Sequence, residues 1–310
     1  MARDGVRVAD GVILPLHVWA PAEQTPTAVV LAVHGFNDYG KFFAGTGAFL
    51  AERGIVSYAY DQRGFGRAPN RGIWPGRATL VDDLKAVVAA LRRRHPDLPL
   101  YVVGESMGGA VAILAATGPA PPKVDGLILA APAVWGRSTM PWYQRAALWL
   151  SVRTLPGMTV TGRGLGVVAS DNIDMLRELG RDPLVIKETR IDAIYGLVNL
   201  MDAALAAAPR LDGPALMLYG AQDEIVPEEP VRRFVAALPE DAGIRVAVYA
   251  DGYHMLLRDL QAQVVWRDIA AWISDPRAPL PSGADSEALA RAPCGVRDSC
   301  DMVRDTGAAG

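Results

Sequence analysis

The chain has 310 residues, of which 51% are hydrophobic and 21% are charged. This length suits one large α/β domain with a substantial insertion, and the hydrophobic fraction suits a soluble protein with a sizeable core. The formal net charge of -3 gives no electrostatic basis for binding nucleic acid. No nucleic-acid partner is therefore expected.

Both cysteines, Cys294 and Cys300, lie near the end of the chain, and no Cys/His grouping has the spacing of metal ligands. We expect no disulfide framework, no metal and no cofactor. No stretch reaches the roughly 18–20 unbroken apolar residues of a transmembrane segment, and residues 1–10 do not resemble a signal peptide. The expected location is the cytoplasm if Met1 is the native start, and the periplasm or the exterior if an upstream signal peptide has been removed.

Short apolar runs alternate with longer helical patterns, which predicts a mostly parallel sheet flanked by helices. Residues 6–19 are expected to supply antiparallel edge strands, since Pro15 is unsuited to a central strand. Buried core strands are predicted at residues 29–33, 55–60, 100–103, 127–131, 215–219 and 246–250. Helices are predicted at residues 80–94, 106–116, 230–237 and 260–273.

The connection over residues 133–212 is far longer than the handful of residues that usually joins two core strands. It contains three helical patterns of its own, at residues 142–152, 173–179 and 187–207. We therefore predict that residues 133–212 form a helical cap, and that residues 1–132 and 213–275 form the core. Residues 276–310 are rich in Pro, Ala, Gly, Asp and Ser and lack periodicity, so a disordered tail is expected.

A G-x-S-x-G sequence at residues 104–108 follows a predicted strand and precedes a predicted helix. In this context the serine sits on a sharp, strained turn with its hydroxyl exposed beyond the strand. Gly104 and Gly108 supply the clearance that such a turn needs, and the helix points its free N–H groups toward developing negative charge. Ser106 is therefore predicted to be a nucleophile.

An oxyanion formed by attack of a serine on a carbonyl needs two N–H donors. The backbone N–H of Met107, directly after the nucleophile, is one candidate. The loop after the first core strand is placed to supply the other, and we nominate the N–H of Phe36. His34, at the start of this loop, is expected to orient it through hydrogen bonds rather than to act as a base.

A serine hydroxyl needs a neighbouring imidazole to take its proton, and the imidazole needs a carboxylate behind it. Of the other three histidines, His17 lies in an edge strand and His95 lies at a helix end on the far side of the sheet. His254 follows the last core strand and is predicted to be the base. The acid lies between serine and histidine in chain order, so we predict Asp223, with Asp251 as its main rival.

These motifs together resemble the monoacylglycerol lipase/lysophospholipase branch of the α/β-hydrolases, which is also described as a serine aminopeptidase S33-like group. The resemblance spans roughly residues 10–275. It is carried by the following residues: His34-Gly35, Asp61-x-Arg63-Gly64-x-Gly66, residues 104–109, Gly220-x-x-Asp223-x-x-Val226 and His254. It implies an α/β-hydrolase fold with a helical cap, a Ser–Asp–His triad, no cofactor and acyl-ester substrates.

Three tryptophans, Trp135, Trp142 and Trp149, recur at intervals of seven residues in the predicted cap. Trp142 and Trp149 are expected to share one face of a helix that begins beside Pro141. One interpretation is an apolar roof over an acyl pocket, in transient contact with lipid surfaces. The alternative is ordinary packing of the cap on the core.

Asp61 and Arg63 follow a core strand, and two functional interpretations are an aspartate nucleophile and an anion-binding site. We expect instead that the two side chains pair with each other and fix the loop.

The sequence thus predicts hydrolysis of small-molecule carboxylic esters of the monoacylglycerol or lysophospholipid type. The first alternative is an aminopeptidase, which needs an acidic group in the cap to bind the substrate amine. The cap acids available for this role are Asp171, Asp174, Glu178 and Glu188. The second alternative is a non-catalytic ligand receptor that has kept the fold.

Overall fold

The computed structural model of the chain describes residues 5–162 and 166–285. Cys294, Cys300 and the rest of the predicted tail beyond residue 285 lie outside the described residues. Within these ranges the strands are Gly5–Arg7 (β1), Ile13–Trp19 (β2), Ala28–Val33 (β3), Ile55–Tyr60 (β4), Leu100–Glu105 (β5), Gly126–Ala130 (β6), Thr159–Val160 (β7), Thr189–Arg190 (β8), Ala215–Gly220 (β9) and Ile244–Tyr249 (β10). The helices are Ala44–Ala51 (α1), Arg77–Arg94 (α2), Met107–Thr117 (α3), Trp142–Thr154 (α4), Ile173–Arg181 (α5), Ile191–Ala207 (α6), Glu228–Ala236 (α7) and Ala262–Ser274 (α8).

Eight of these strands form one sheet in the order β1-β2-β4-β3-β5-β6-β9-β10. The pairs β1–β2 and β2–β4 are antiparallel, and the remaining pairs are parallel. The predicted mostly parallel sheet with antiparallel strands at its N-terminal edge is confirmed. The carboxyl ends of β3, β5, β9 and β10 therefore meet at one edge of the sheet, where open α/β sheets bind ligands.

Apolar layers cover both faces of this sheet. In β3, Leu31 belongs to the layer packed under α2 and α3, and Val30 belongs to the layer that includes residues of α8. Alternate residues point to opposite faces of a strand, so a strand buried on both sides must be apolar throughout. This explains why the core strands form continuous apolar runs in the sequence.

Helix α1 has no counterpart among the predicted helices. Its sequence, Ala-Gly-Thr-Gly-Ala-Phe-Leu-Ala, contains two glycines that weaken helix propensity. The structure supplies the reason for both glycines. A Cβ at Gly45 would lie 2.9 Å from the ring of Trp266, and one at Gly47 would lie 2.6 Å from the ring of Trp19. Close packing against two indole rings, rather than local propensity, therefore places this helix.

The connection between β6 and β9 contains α4, α5, α6 and the two-stranded sheet β7–β8. Helix α6 packs on α3 of the core, and α4 packs on α6. The third predicted cap helix starts at residue 191 rather than 187, because Thr189 and Arg190 pair with β7 instead. The stretch Ile191–Arg210 has the length and mean hydropathy (1.4) of a membrane span, but half of it is buried within the structure. We interpret it as the core helix of the cap.

The prediction that disorder begins at residue 276 is wrong for residues 276–285. Leu280 and Ala284 are buried against the core. The N–H of Val248 in β10 donates to the carbonyl of Ala284 over 3.0 Å, and the guanidinium of Arg245 donates to the carbonyl of Pro276 over 2.9 Å. These residues cover β10 at the edge of the sheet, where unpaired backbone groups are a liability.

Candidate active site

Ser106 lies on the sharp turn between β5 and α3. Its φ of 52° and ψ of -113° place it in a region that non-glycine residues rarely adopt. Three backbone hydrogen bonds hold the strained residue: its N–H donates to the carbonyl of Ala130 over 2.9 Å, and its carbonyl accepts from the N–H groups of Ala133 (2.9 Å) and Ala110 (3.1 Å). Strain of this kind persists where the surroundings over-determine it, and it clusters at functional sites.

The glycines on either side of Ser106 are required by close backbone approach. A Cβ at Gly104 would lie 2.6 Å from the carbonyl oxygen of Gly108, and a Cβ at Gly108 would lie 2.0 Å from the carbonyl oxygen of Val33. No side chain fits at such separations. Gly104 therefore lets the turn close tightly on itself, and Gly108 brings it against the end of β3, where the predicted oxyanion loop begins.

His254 and Asp223 form a buried pair beyond the ends of β10 and β9. The Nδ1 atom of His254 lies 2.8 Å from Oδ2 of Asp223. The other carboxylate oxygen, Oδ1, accepts from the N–H groups of Ile225 (2.8 Å) and Val226 (2.9 Å). An ionised carboxylate only accepts hydrogen bonds, so Nδ1 carries the proton and Nε2 is left as the acceptor. The rival acid, Asp251, is exposed and does not bind the imidazole.

Ser106 and His254 line one cavity of about 480 Å³ under the cap. Most of its wall is apolar: Phe36, Ala133, Trp135, Met140, Leu148, Ala169, Ile194, Leu197, Val198, Met201, Ile225, Val226 and Met255. Within the described residues no hydrogen bond joins the Ser106 hydroxyl to His254. Such contacts often tighten only when substrate binds.

The loop after β3 lies directly against Ser106, since a Cβ at Gly35 would be 3.4 Å from the Cβ of Ser106. The N–H groups of Phe36 and Met107 donate to no acceptor within the part of the chain that the structure describes. Buried or partly buried N–H groups are normally paired. Two unpaired donors on either side of a strained serine are the arrangement that an oxyanion requires.

His34 fixes this loop from beneath, as expected. Its Nε2 accepts from the N–H of Gln62 over 2.9 Å, its Nδ1 lies 2.7 Å from the carbonyl of Gly35, and its own carbonyl accepts from the Gln62 amide over 2.8 Å. Complete burial lowers the pKa of His34, which keeps the imidazole neutral. Both ring nitrogens are occupied, so His34 is not available as a base for Ser106.

Asp61 and Arg63 do not pair with each other, so that expectation is wrong. The guanidinium of Arg63 binds Asp83 of α2, with its Nη2 2.8 Å from the carboxylate. Asp61 instead accepts from Nε2 of His17 and from the N–H of Gly40, each over 2.9 Å. Burial alone would raise the pKa of Asp61, but these hydrogen bonds lower it overall. Both side chains hold loops, although through different partners.

Of the three cap tryptophans, only Trp135 lines the cavity. Trp142 is 76% exposed and Trp149 is 56% exposed, so for these two neither the roof over an acyl pocket nor the alternative of packing on the core is correct. Each helical residue turns by about 100°, so the cavity-lining residues of α4, Gln144 and Leu148, point about 100–160° away from both tryptophans around the helix axis. The seven-residue spacing correctly places Trp142 and Trp149 on one face, but it does not reveal which face meets the core.

The polar side of the cavity was not predicted. Asp38, Glu105 and Arg258 all contribute to its wall, and Arg258 binds both carboxylates. No spacing rule connects three residues so far apart in the chain, so the only available signal was the position of each residue beside a predicted catalytic group.

Residues 24–261 match the family Hydrolase_4, described as serine aminopeptidase, S33. The chain belongs to this family. The S33-family chain is 26% identical to the monoacylglycerol lipase of Mycolicibacterium smegmatis over 85% of its own length and 93% of that protein. It is 28% identical to the monoglyceride lipase of Mus musculus over 86% of its own length and 88% of that protein.

The crystal structure of Paleococcus ferrophilus monoacylglycerol lipase is similar to this chain, with a TM-score of 0.70 at 23% identity. The match covers 84% of this chain and 98% of the other. The fold is therefore that of the α/β-hydrolases, with helices flanking a mostly parallel sheet.

Proposed function

We propose that this S33-family chain hydrolyses carboxylic esters of the monoacylglycerol type, with Ser106 as its nucleophile. One observation carries the proposal: a strained serine opens into an apolar cavity together with an imidazole that a buried carboxylate orients. The curated relatives named monoacylglycerol or monoglyceride lipase match most of the chain and support the same substrate class.

The proposed reaction has two acyl-transfer steps. Nε2 of His254 takes the proton of the Ser106 hydroxyl as Oγ attacks the ester carbonyl, and Asp223 stabilises the resulting imidazolium. The oxyanion accepts from the N–H groups of Phe36 and Met107. The imidazolium then protonates the departing alkoxide, which leaves an acyl-enzyme. A water molecule repeats the sequence, so the fatty acid is released and the serine hydroxyl is restored.

The cavity favours an acyl chain over a polar side chain. Its volume of about 480 Å³ lies within the range of small-molecule sites, and its walls are predominantly aliphatic and aromatic. Burying apolar surface contributes about 25 cal/mol per Å², which amounts to about 0.8 kcal/mol for each methylene. Longer acyl groups should therefore bind more tightly until the cavity is filled.

Within the described residues, every carboxylate of the cavity wall already binds a guanidinium. The two acidic side chains of the wall, Asp38 and Glu105, are both bound to Arg258. The four cap acids named for an aminopeptidase do not line the cavity; Asp171 accepts from the N–H of Leu260, for instance. An N-terminal ammonium group would have to compete with Arg258 for these carboxylates, which disfavours the aminopeptidase.

We also propose that α4 makes transient contact with lipid surfaces. Trp142, Tyr143, Trp149 and Leu150 form an exposed apolar patch on the outer side of this helix. The guanidinium of Arg153 lies 4.2 Å over the ring of Trp149. Exposed aromatics beside cations are typical of surfaces that settle at the interface of a bilayer.

Co-sedimentation with vesicles that contain anionic lipid tests the contact, with Val18→Ala, an exposed apolar residue of β2, as control. Trp142→Ala/Trp149→Ala should lower binding and leave turnover of a soluble ester unchanged. Equal binding by this variant and the wild type would rule out the contact.

Turnover of an ester series tests the main proposal. Wild type and Ser106→Ala should be compared on chromogenic esters from acetyl to palmitoyl and on a monoacylglycerol. We expect the variant to lose activity by about 10⁴-fold or more. Cleavage of an amino-acid arylamide without ester turnover would instead favour the aminopeptidase, and ligand binding without turnover of either would favour the receptor.

A further inference from the structure

A buried cluster of three charged side chains joins the loops that carry the proposed nucleophile, the base and the oxyanion donor Phe36. Nη1 of Arg258 lies 2.7 Å from Oδ2 of Asp38, and Nη2 lies 2.9 Å from Oε1 of Glu105. The side chains of Arg258, Asp38 and Glu105 are 11%, 9% and 3% exposed. The catalytic scheme above uses none of them, although each lies next to a group that it does use.

Both carboxylates are fixed close to the reacting atoms. Glu105 directly precedes Ser106, and a Cβ at Gly35 would lie 3.7 Å from its Oε1. Asp38 lies two residues after Phe36, and its Oδ1 accepts from the N–H of Tyr39 over 2.8 Å. The position of the Glu105 carboxylate is therefore tied to that of Ser106, and the position of the Asp38 carboxylate is tied to that of the oxyanion loop.

Arg258 is coupled just as closely to the base. It follows His254 by four residues, and the N–H groups of Arg258 and Asp259 donate to the carbonyl of Met255 over 2.7 and 3.0 Å. The amide of Asn172 in the cap donates to the carbonyl of Arg258 over 2.8 Å. The turn from His254 to Arg258 is short and is held by hydrogen bonds. A shift of the Arg258 guanidinium should therefore also shift the His254 imidazole.

Arginine suits this position better than lysine. Its planar fork presents two nitrogen atoms to two acceptors at once, whereas lysine has a single nitrogen atom in place of these two and no fixed fork. Burial raises the pKa of Glu105, and the adjacent Arg258 acts against that rise. The guanidinium thus keeps two carboxylates together in a place where they would otherwise repel each other.

We infer that Arg258 is a positioning residue, which sets His254 against Ser106 and the oxyanion loop by bridging Asp38 and Glu105. The inference rests on the proposed function. Near-attack geometry is sensitive to displacements of about 1 Å, which cost on the order of 10²-fold in rate. Loss of the bridge should therefore lower kcat far more than it raises KM.

Arg258→Met tests this inference, because methionine keeps much of the length and loses the fork. We expect kcat on a short soluble ester to fall by about 100-fold, with KM changed by less than about threefold. Each rate is divided by the concentration of sites titrated with a fluorophosphonate, which removes the effect of misfolded protein. Arg258→Lys, which keeps the charge and one contact, should recover part of kcat.

Arg63→Met is the matched control, since Arg63 also binds buried Asp83 but lies outside the cavity wall. It should lower the melting temperature and leave kcat per titrated site unchanged. If Arg258→Met does not fold, a triple variant in which all three side chains are uncharged, Asp38→Asn/Glu105→Gln/Arg258→Met, removes the bridge without burying an unpaired charge. This triple variant should show the same loss of kcat as Arg258→Met.

An unchanged kcat per site in any folded variant that lacks the bridge would overturn the inference. The rate constant for fluorophosphonate labelling of Ser106 gives a second readout, because labelling also needs the imidazole in place. It should fall in parallel with kcat. If wild type turns over no ester yet labels rapidly, the proposed substrate is wrong, and the labelling rates of the variants still decide the role of Arg258.

Discussion

Replacing Asp223 with asparagine should inactivate the protein through the wrong imidazole tautomer rather than through a loss of structure. In the native site one carboxylate oxygen accepts two backbone N–H groups, and the other accepts from Nδ1 of His254. Asparagine has only one oxygen. Its amide must therefore choose between the two backbone donors and the single imidazole donor.

The count of hydrogen bonds decides the choice. If the amide oxygen faced His254, its NH₂ group would meet the N–H groups of Ile225 and Val226, and two hydrogen bonds would be lost. Each is worth about 1 kcal/mol, so this orientation is disfavoured by about 2 kcal/mol before donor–donor repulsion is added. The NH₂ group therefore faces Nδ1, which must become the acceptor. Nε2 then carries the proton and cannot take one from Ser106.

We expect Asp223→Asn to lower kcat by about 10⁴-fold, which corresponds to about 5.5 kcal/mol of transition-state stabilisation. The assay is hydrolysis of a soluble chromogenic ester, normalised by titrated sites, with the melting temperature measured in parallel. Asp251→Asn is the control, since Asp251 is exposed and does not bind the imidazole. A loss below about tenfold in Asp223→Asn, or an equal loss in the control, would refute the reasoning.

Three further outcomes follow from the packing of the site. Gly108→Ala should lower the free energy of unfolding by about 3 kcal/mol, measured by urea denaturation, because its methyl group would meet the carbonyl of Val33 at 2.0 Å. His34 has a lowered pKa in the folded state, so the unfolded chain binds the extra proton and stability falls as the pH drops below about 6.5. This fall should be up to about 1.4 kcal/mol per pH unit, and denaturation between pH 7.5 and 5 should show a flatter slope in His34→Gln. Leu197→Trp narrows the apolar cavity and should lower kcat/KM for long acyl esters at least about tenfold relative to acetate.

The chemistry of the site was predictable because each reacting group follows a strand. Val33, Gly104 and Gly220 end buried apolar runs that local sequence identifies well, and parallel strands bring their carboxyl ends to one edge. The spacing of glycines around Ser106 adds a requirement that few other turns impose. Pattern and topology thus place Ser106 near His254 without any knowledge of side-chain contacts.

The orientation of the cap was not predictable in this way. A helical period shows that Trp142 and Trp149 share a face, but both an apolar roof and an exposed patch would have that pattern. The decision depends on Leu148, which packs toward the cavity and turns the two tryptophans outward. Which face is buried depends on the shape of α6 beneath it, and that shape is a tertiary property.

The segment of the cap before α5, residues 168–170, makes contacts with the catalytic loops that no sequence motif describes. The N–H of Val168 donates to Glu224, the neighbour of the acid, over 2.7 Å. The carbonyl of Ala169 accepts from the N–H of Met255, the neighbour of the base, over 3.1 Å, and the hydroxyl of Ser170 donates to Asp259 over 2.5 Å. This segment has no periodicity, yet it holds the acid loop and the base loop together. A motif identifies which atoms react, while such non-local contacts, like those of Arg258, determine how accurately these atoms are placed.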